Sequence, residues 1–338
     1  MIVRWEVPRT TQAESSWMHF RVAVRGAMST IAAVASAAGP SCYYLITDFD
    51  GTCTQKDTTP LVPHLAARSS STPDEVLERF NALEDLYMSM VESVQTGLAI
   101  DKAVKDENKL LDMNGLTGAL TALDAVSDAV TLQLSDSGIL KGIADEGVAS
   151  ALAEWREAGT PITPPELRPG CAATLAAAAA DGWRLGVLTL NWCPALVRAY
   201  LPLLAEYPDA PMWSNSIDVA TGYVNLRVNG AVAKREIIAK LVKEAAAAAE
   251  QAEGGKSSSV VYVGDSSTDL LALCAADVGI LIGESQSTRK IAKQFALKIE
   301  PLPASVEEAV RRRKEEGEAE AMVFEVESWN QLRRSLKL

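Results

Sequence analysis

Histidine is scarce in this chain of 338 residues, which contains only His19 and His64. With so few imidazoles, a histidine-based metal site or a Ser-His-Asp triad has little support. The five cysteines are scattered and include no Cys-x-x-Cys pair, which argues against a disulfide framework and against a zinc site. We therefore expect the cysteines to be reduced thiols, and we expect carboxylates to be the catalytic or metal-binding groups of any active site.

Positive charge is also in deficit, because 32 Lys and Arg residues stand against 44 Asp and Glu residues, a formal net charge of -12. This balance lacks the basic surface that nucleic-acid binding needs. No apolar run reaches the roughly 18 to 20 residues of a membrane span, so we expect no membrane partner. A small phosphorylated metabolite is compatible with an acidic chain, since a metal ion or local donors can neutralise one phosphate. The chain is expected to be a monomer or a homodimer.

Short β-type runs alternate with helical patterns, which predicts an α/β fold with a parallel, helix-covered sheet. The predicted strands are residues 43–47, 184–190, 258–264 and 277–283. Between the first two strands lie more than a hundred residues with few β signals and several amphipathic patterns. The sequence therefore predicts a Rossmann-like core with an inserted α-helical cap.

The first long helix of this insertion should begin after Thr72, with Pro73 at its first position and Glu75 completing a capping box. Apolar residues then recur every three or four positions, which predicts one buried face. That face consists of Val76, Phe80, Leu83, Tyr87, Met90 and Val94. Further helices are expected near residues 116–134 and 138–158.

A proline-rich stretch at 160–170 has the character of a linker that returns to the core. We therefore predict a catalytic core from residues 43–60 and 160–338, with a helical cap at 61–159. Residues 1–42 form an N-terminal extension, whose arginines and small residues also suit a mitochondrial or plastid presequence. Without such a presequence, we expect the protein in the cytoplasm.

Two carboxylates, Asp48 and Asp50, directly follow the first predicted strand in the segment YYLITDFDGT. In isolation such a pair is more often a solvated turn with a helix cap. Here, however, Gly51 permits a tight turn at the strand end, which is where open α/β sheets bind ligands. Two like charges repel there unless a cation lies between them or one acid holds a proton. The pair therefore indicates a functional site.

A second acidic segment, YVGDSSTDLLAL, follows another predicted strand. It places Asp265 at the strand end and Asp269 four residues later, on the same side of the next helical turn. Oxygen ligands from two strand ends, without His or Cys, favour a hard cation, and Mg²⁺ is the natural occupant. By itself this segment could also be a Gly-Asp turn with a helix cap.

Five residues are candidates for binding phosphate oxygens. Thr189 offers a hydroxyl at a third strand end, and Asn191 offers an amide beside it. Lys234, near the start of a helical pattern, could supply a positive charge. The turn at Gly51 and Thr52 would add main-chain donors. Taken singly, Thr189, Asn191 and Lys234 are also common loop or surface residues.

The order DFDGT, strand-Thr, Lys and GDSSTD resembles the haloacid dehalogenase (HAD) superfamily, and the match covers most of the chain. The helical insertion is similar to the first-position cap of the phosphoserine-phosphatase-like branch. The resemblance implies that Asp48 is a nucleophile, that Asp50 is the general acid/base and that Thr189 and Lys234 bind phosphate. It also implies that Asp265 is a Mg²⁺ ligand.

The same resemblance implies the remaining metal contacts and the reaction. Asp48, the main-chain carbonyl of Asp50 and Asp265 would hold Mg²⁺. Asp269 would lie next to these ligands, one step further from the ion, and support them. Asp48 would form an aspartyl phosphate while Asp50 first protonates the leaving alcohol and then activates water. We therefore expect a Mg²⁺-dependent phosphomonoesterase.

Several phrases, including DFDGTCT, LRPGC and LTLNWC, are similar to the phosphatase half of plant bifunctional TenA-like proteins. That resemblance implies thiamin monophosphate as a substrate. Trp192, beside the expected site, could contact a cationic ring through its π face, or could simply pack under the cap.

Two other classes of protein can use the same residues. A phosphotransferase or phosphomutase would pass the phosphoryl group from Asp48 to a second alcohol. A non-enzymatic phospho-aspartate switch would retain it, but such modules are shorter and lack an acid at the position of Asp50.

Overall fold

The computed structural model describes residues 43–98, 111–157, 160, 162–207, 209–251, 258–316 and 321–338. The expected N-terminal extension at 1–42 lies outside the described residues, so its assignment stays a prediction. Within these ranges, no helix combines the length and the apolar character needed to cross a bilayer.

Seven parallel strands form the central sheet in the order β3-β2-β1-β6-β7-β9-β8. They are β1 (Tyr43–Thr47), β2 (Arg184–Leu188), β3 (Met212–Trp213), β6 (Ser259–Gly264), β7 (Val278–Ile282), β8 (Lys298–Pro301) and β9 (Met322–Val326). Strands β4 (Ser216–Ile217) and β5 (Val224–Asn225) pair separately as an antiparallel hairpin. The sheet places β1 beside β2 and β6, so the ends of these three strands are neighbours.

Helices fill the connections between the strands. Those between β1 and β2 in the chain are α1 (Leu61–Ser69), α2 (Pro73–Gly97), α3 (Met113–Ser137), α4 (Asp145–Trp155) and α5 (Cys171–Ala180). The others are α6 (Pro194–Tyr200), α7 (Gly230–Gln251), α8 (Leu270–Ala275), α9 (Gln286–Gln294), α10 (Val306–Glu316) and α11 (Trp329–Leu336). The predicted α/β fold with an α-helical insertion is confirmed.

The core lies on both faces of the sheet because successive strand residues point in opposite directions. In β1, Leu45 joins one buried apolar cluster, whereas Tyr44 and Ile46 join the other. Strand β6 is buried at every position, as expected for a parallel strand covered on both sides. The sheet is therefore a rigid support for residues at its strand ends.

Helix α3 contributes to this core although it belongs to the insertion. Its residues Leu116, Ala119 and Leu120 are buried in the same cluster as Tyr44 and Ile46 of β1. Leu134, near the other end of α3, is buried in the opposite cluster. The amino-terminal half of α3 is thus packed as a part of the catalytic core.

Helix α2 differs in two details from the sequence expectation. Thr72 is its N-cap, but the Thr72 side chain makes no capping hydrogen bond, so the predicted capping box is wrong. Of the predicted apolar face, only Val76 and Phe80 are buried. The other four residues of that face are partly exposed, so burial is confined to the first two turns.

The helix predicted at 138–158 is shorter than expected. Gly138 ends α3 with φ 63° and Gly142 follows with φ 83°, a left-handed backbone that interrupts a helix. Ile139 and Ile143 are buried in this turn rather than on a helix. Helix α4 therefore begins only at Asp145.

Candidate active site

The neighbouring ends of β1, β2 and β6 carry the candidate residues of the site. Asp48 follows β1, Thr189 follows β2 and Asp265 follows β6. The backbone N–H of Asp48 donates to the carbonyl of Val263 in β6 at 2.8 Å, which continues the pairing with β6 one residue past the end of β1. A sheet hydrogen bond thus fixes the backbone of Asp48, and with it the starting position of the Asp48 side chain.

Three carboxylates from two of these segments meet at one place. Asp48, Asp265 and Asp269 each present an oxygen, and these oxygens lie within 4.8 Å of one another. Asp48 and Asp269 are buried, and Asp265 is partly exposed. The structure therefore brings together acids that lie more than two hundred positions apart in the sequence.

The turn after Asp48 closes on Asp265. Gly51 has φ 72°, and a Cβ at this position would lie 2.5 Å from Asp265 Oδ2, so a larger residue would push the carboxylate away. Thr52 Oγ1 donates a hydrogen bond to Asp265 Oδ1 at 2.8 Å. The N–H of Gly51 donates to Thr54 Oγ1 at 3.1 Å, so this proposed phosphate donor is engaged inside the turn.

Lys234, on the first turns of α7, reaches the acids with a fully buried side chain. Its Nζ donates to Asp269 Oδ1 at 2.8 Å and forms an ion pair with Asp48 Oδ1 at 3.2 Å. Burial alone lowers the pKa of Lys234, but the adjacent Asp269 and Asp48 outweigh burial and raise it. The ammonium group therefore stays charged.

Asp269 is saturated with hydrogen-bond donors. Oδ1 accepts from Lys234 Nζ and, at 2.6 Å, from the Tyr262 hydroxyl. Oδ2 accepts from the N–H of Asp265 and from both the N–H and the hydroxyl of Ser266. Burial raises the pKa of Asp269, but Lys234 and these hydrogen bonds bring it below its ordinary value. Asp269 thus holds Lys234 and the Asp265 turn in place.

Asp50 points toward a different set of partners. Its Oδ1 accepts from the N–H and the hydroxyl of Thr58 at 2.8 and 2.6 Å, and its Oδ2 accepts from Asn191 Nδ2 at 2.7 Å. Burial, and next the nearby Asp57, raise the pKa of Asp50 to about 6, although these hydrogen bonds oppose the change. The carboxyl group is held in one orientation with a pKa close to neutrality.

The remaining predicted residues are near this group. Thr189 is buried, and its hydroxyl accepts a hydrogen bond from the N–H of Asn191 at 3.2 Å. The side-chain amide of Asn191 donates to Asp50 and Thr58, and its predicted binding of phosphate stays a prediction. Trp192 is partly buried and packs against the apolar cluster that contains Leu45.

Three supporting residues were not predicted from the sequence. Thr58 orients Asp50, Arg168 Nε donates to the carbonyl of Gly51 at 2.6 Å, and Trp329 Nε1 donates to the carbonyl of Thr52 at 2.9 Å. Arg168 lies in the return linker, which pairs with the loop after the first acids through Thr54 and Leu167. For Arg168 the sequence offered one signal, its position in the return linker. A segment that returns from an insertion must pass close to where the insertion begins, and here that is beside the first acids.

The acid cluster fits a hard divalent cation. Within the described ranges, the buried Asp48 Oδ1 contacts the Lys234 ammonium group at 3.2 Å and has no other donor. Burial raises the pKa of Asp48 well above its ordinary value, and although Lys234 opposes this, three neighbouring aspartates add to it. A buried cluster with more negative than positive charge and only oxygen ligands suits Mg²⁺. Asp48 and Asp265 are placed to be its side-chain ligands.

Comparison with known proteins agrees with this geometry. The family model for haloacid dehalogenase-like hydrolases matches residues 45–273, a range that contains Asp48, Asp50, Lys234, Asp265 and Asp269. The bifunctional TH2 protein, mitochondrial, of Arabidopsis thaliana is 25% identical over 316 residues, which are 85% of this chain and 48% of the plant protein. The chain thus spans about half the length of that relative.

Solved structures show more distant similarity. A substrate-bound phosphoserine phosphatase complex is 17% identical, with a TM-score of 0.41 over 75% of this chain and 91% of that chain. Phosphoserine phosphatase from T. onnurineus is 13% identical, with a TM-score of 0.38 over 88% of this chain and 96% of that chain. Similarity at this level carries no activity from those proteins to this chain.

Proposed function

The chain belongs to the haloacid dehalogenase-like hydrolase family, and from this membership we propose that it is a Mg²⁺-dependent phosphomonoesterase with an aspartyl-phosphate intermediate. The observation that carries the proposal is the environment of Asp48. This buried carboxylate pairs with the Lys234 ammonium group at 3.2 Å and lies within 4.8 Å of oxygens from two other aspartates. Such a group is suited to accept a phosphoryl group within a charge-compensated site.

Asp48 is the nucleophile in this proposal. Its carboxylate oxygen attacks phosphorus, and the bond between phosphorus and the alcohol oxygen breaks. Lys234 and the Thr189 hydroxyl stabilise the phosphoryl oxygens, while Asp269 holds the lysine in place. Mg²⁺, bound by Asp48, Asp265 and the main-chain carbonyl of Asp50, would offset the phosphoryl negative charge.

Asp50 moves the protons. In its protonated form it donates to the departing alcohol, and in its ionised form it then accepts a proton from the water that hydrolyses the aspartyl phosphate. A pKa of about 6 allows both forms to be populated near neutral pH. Thr58 and Asn191 fix the carboxyl group for both steps. Such acid/base groups typically contribute about 10² to 10⁴-fold to the rate.

For the substrate we propose a phosphate ester of a cationic alcohol, with thiamin monophosphate as the first candidate. The net charge of -12 favours cationic ligands in general. The exposed Asp57 adds negative charge close to Asp50, the proposed acid for the leaving alcohol. The similarity of the sequence to plant bifunctional proteins supports the same candidate.

The test is phosphate release from a panel of phosphomonoesters with Mg²⁺, measured for the wild type, Asp48→Asn and Asp74→Asn. Asp74 is an exposed acid of α2 and serves as the matched control. We expect Asp48→Asn to lose at least about 10³-fold in kcat, and Asp74→Asn to match the wild type. Phosphate release that persists in Asp48→Asn would show that Asp48 is not the nucleophile.

The same panel tests the substrate class. We expect Asp57→Asn to lower kcat/KM for thiamin monophosphate by about threefold to tenfold relative to a neutral ester, because it removes one negative charge close to Asp50. Equal turnover of cationic and neutral esters by the wild type would reject the cationic substrate. Transfer of the phosphoryl group to an added alcohol in preference to water would indicate a phosphotransferase instead.

A further inference from the structure

Asp124, a residue without a part in the steps above, binds the start of the helix that carries Lys234. It lies on α3 and is buried, with 9% of its surface exposed. Its Oδ2 accepts a hydrogen bond from the N–H of Ala231 at 2.9 Å, and the N–H of Val232 also bonds to this carboxylate. These are N–H groups of the first turn of α7, which have no partner within their own helix. Asp124 therefore caps α7 from another helix.

The backbone of α7 is shaped to receive this carboxylate. Gly230, the first residue of α7, has φ 76°, and a Cβ at this position would collide with the Asp124 carboxylate. A residue with a side chain at position 230 would thus displace Asp124 or move the helix. The glycine and the acid together define where α7 begins.

Lys234 follows Gly230 by four residues, which is about one helical turn and places both on the same side of α7. Lys234 is fully buried, and its Nζ reaches Asp269 at 2.8 Å and Asp48 at 3.2 Å. A shift of the helix start would change both distances directly, because the buried side chain has little freedom to compensate. The cap on the first turn is therefore coupled to the reach of the lysine.

We propose that Asp124 is a positioning residue that sets the contact of Lys234 with Asp48 by fixing the first turn of α7. The proposal rests on the proposed function for its activity readout. It also makes α3 of the inserted segment responsible for part of the geometry of the phosphate site. The amino-terminal half of α3 is suited to this role because Leu116, Ala119 and Leu120 anchor it in the core.

Asp128 provides a matched control on the same helix. It lies one turn after Asp124, and its Oδ2 accepts a hydrogen bond from Asn229 Nδ2 at 2.9 Å. Asn229 precedes α7, so this bond ties the preceding loop and leaves the N–H groups of the helix unaffected. Asp128→Asn thus perturbs the same interface without removing the cap.

The experiment is a double-mutant cycle that combines Asp124→Ala with Lys234→Met, alongside Asp124→Asn and Asp128→Asn as single variants. The readouts are kcat/KM for p-nitrophenyl phosphate and the Kd of inorganic phosphate by calorimetry, both with Mg²⁺. Circular dichroism and Tm identify variants that do not fold. Asn is the conservative variant, since it caps helices about as well as Asp.

We expect Asp124→Ala to weaken kcat/KM and phosphate binding by about 10 to 100-fold, as small misplacements of catalytic groups do. Asp124→Asn should stay within about threefold of the wild type, and Asp128→Asn should match it. In the Lys234→Met background, Asp124→Ala should have no further effect, because its consequence passes through the lysine.

An equal loss from Asp124→Ala in both backgrounds would overturn the proposal, as would a lower Tm with unchanged phosphate binding. If Lys234→Met does not fold, the comparison of Asp124→Ala with Asp124→Asn decides, and equal phosphate affinity in the two refutes the positioning role. If the wild type hydrolyses no ester but binds phosphate, the proposed function fails. The double-mutant cycle measured by the Kd of inorganic phosphate then still tests the role of Asp124.

Discussion

At the scale of the residue, Asp50, the group that we propose transfers protons, depends on a threonine for its orientation. Thr58 contributes two of the three donors to Asp50, one from its backbone and one from its hydroxyl. In Thr58→Val the backbone donor remains and the hydroxyl is lost. We expect kcat to fall by about tenfold with little change in KM, because in the proposed mechanism Asp50 acts on the leaving group after the substrate has bound.

Steady-state kinetics of Thr58→Val and Thr59→Val check this prediction. Thr59 is the adjacent, partly exposed threonine. Its replacement by valine makes the same change in side-chain shape but removes no hydrogen bond to Asp50. A tenfold loss in both variants would point to a disturbed loop rather than a disoriented acid.

A second prediction at this scale concerns the pH dependence of stability. Burial raises the pKa of Asp124 from its ordinary value of 3.8 to about 6, despite two backbone hydrogen bonds that lower it. The folded protein then binds a proton that the unfolded chain has released, so this contribution is present below about pH 4 and is lost as the pH rises through about 6.

Asp124→Asn lacks this titration. Its free energy of unfolding relative to the wild type should therefore increase by about 2 kcal/mol between pH 4 and pH 7. Denaturant titrations of Asp124→Asn and the wild type across this pH range measure the difference. A pH-independent difference for Asp124→Asn would contradict the raised pKa.

At the scale of the element, the carboxy-terminal helix supports the catalytic turn. Trp329, the first residue of α11, is fully buried and donates from its indole to the carbonyl of Thr52. Trp329→Phe leaves that buried carbonyl without its donor, which should cost about 1 to 3 kcal/mol. We also expect a lower kcat/KM, since Thr52 holds Asp265.

Thermal unfolding and kinetics of Trp329→Phe, compared with Trp183→Phe, measure this effect. Trp183 donates to Asp181 at 3.2 Å, and because Asp181 is exposed, water can replace the lost donor. The smaller loss is therefore expected for Trp183→Phe. Equal destabilisation of both variants would mean that indole volume, and not the bond to Thr52, is what matters.

The elements also show which parts of the fold a sequence can predict. Strands β1, β2, β6 and β7 were predicted within two residues at each end, because their apolar runs are continuous and end at polar residues. Strands β3 and β8 were not predicted. The first has two residues and the second is the polar segment KIEP, and both exist through pairing with strands distant in sequence.

The same distinction holds for the site. The acids after β1 and β6 were predicted to meet because the end of a parallel strand has a known place in a sheet. Thr58, Arg168 and Trp329 act through contacts made only in the folded chain, and single residues of these types carry no local signal. Asp124 is a further case, since its partner Ala231 lies 107 positions away.

At the scale of the whole molecule, the site stores an excess of negative charge that a cation would relieve. Oxygens of Asp48, Asp265 and Asp269 lie within 4.8 Å of one another, and the buried ammonium group of Lys234 pairs with Asp48 and Asp269 but not with Asp265. Saturating Mg²⁺ should therefore raise Tm by several degrees, since ligand at about 100 times its Kd adds about 2.7 kcal/mol.

Scanning calorimetry with Mg²⁺ and with chelator tests this prediction without any substrate. Asp265→Asn removes one proposed ligand and should show a much smaller shift, whereas Asp74→Asn should behave like the wild type. The same shift in Asp265→Asn as in the wild type would place the cation elsewhere.

The strand order has a consequence for how the molecule is made. In the described sheet β8 is bonded to β9, which lies between β7 and β8 although it comes last in the chain. During synthesis β8 emerges first and has to wait, with its backbone unpaired, until Met322–Val326 has left the ribosome. A polypeptide that stops before Met322 would lack β9, and β8 would then have no strand to pair with. Strand β7 would become an open edge of the sheet, on which other chains could aggregate.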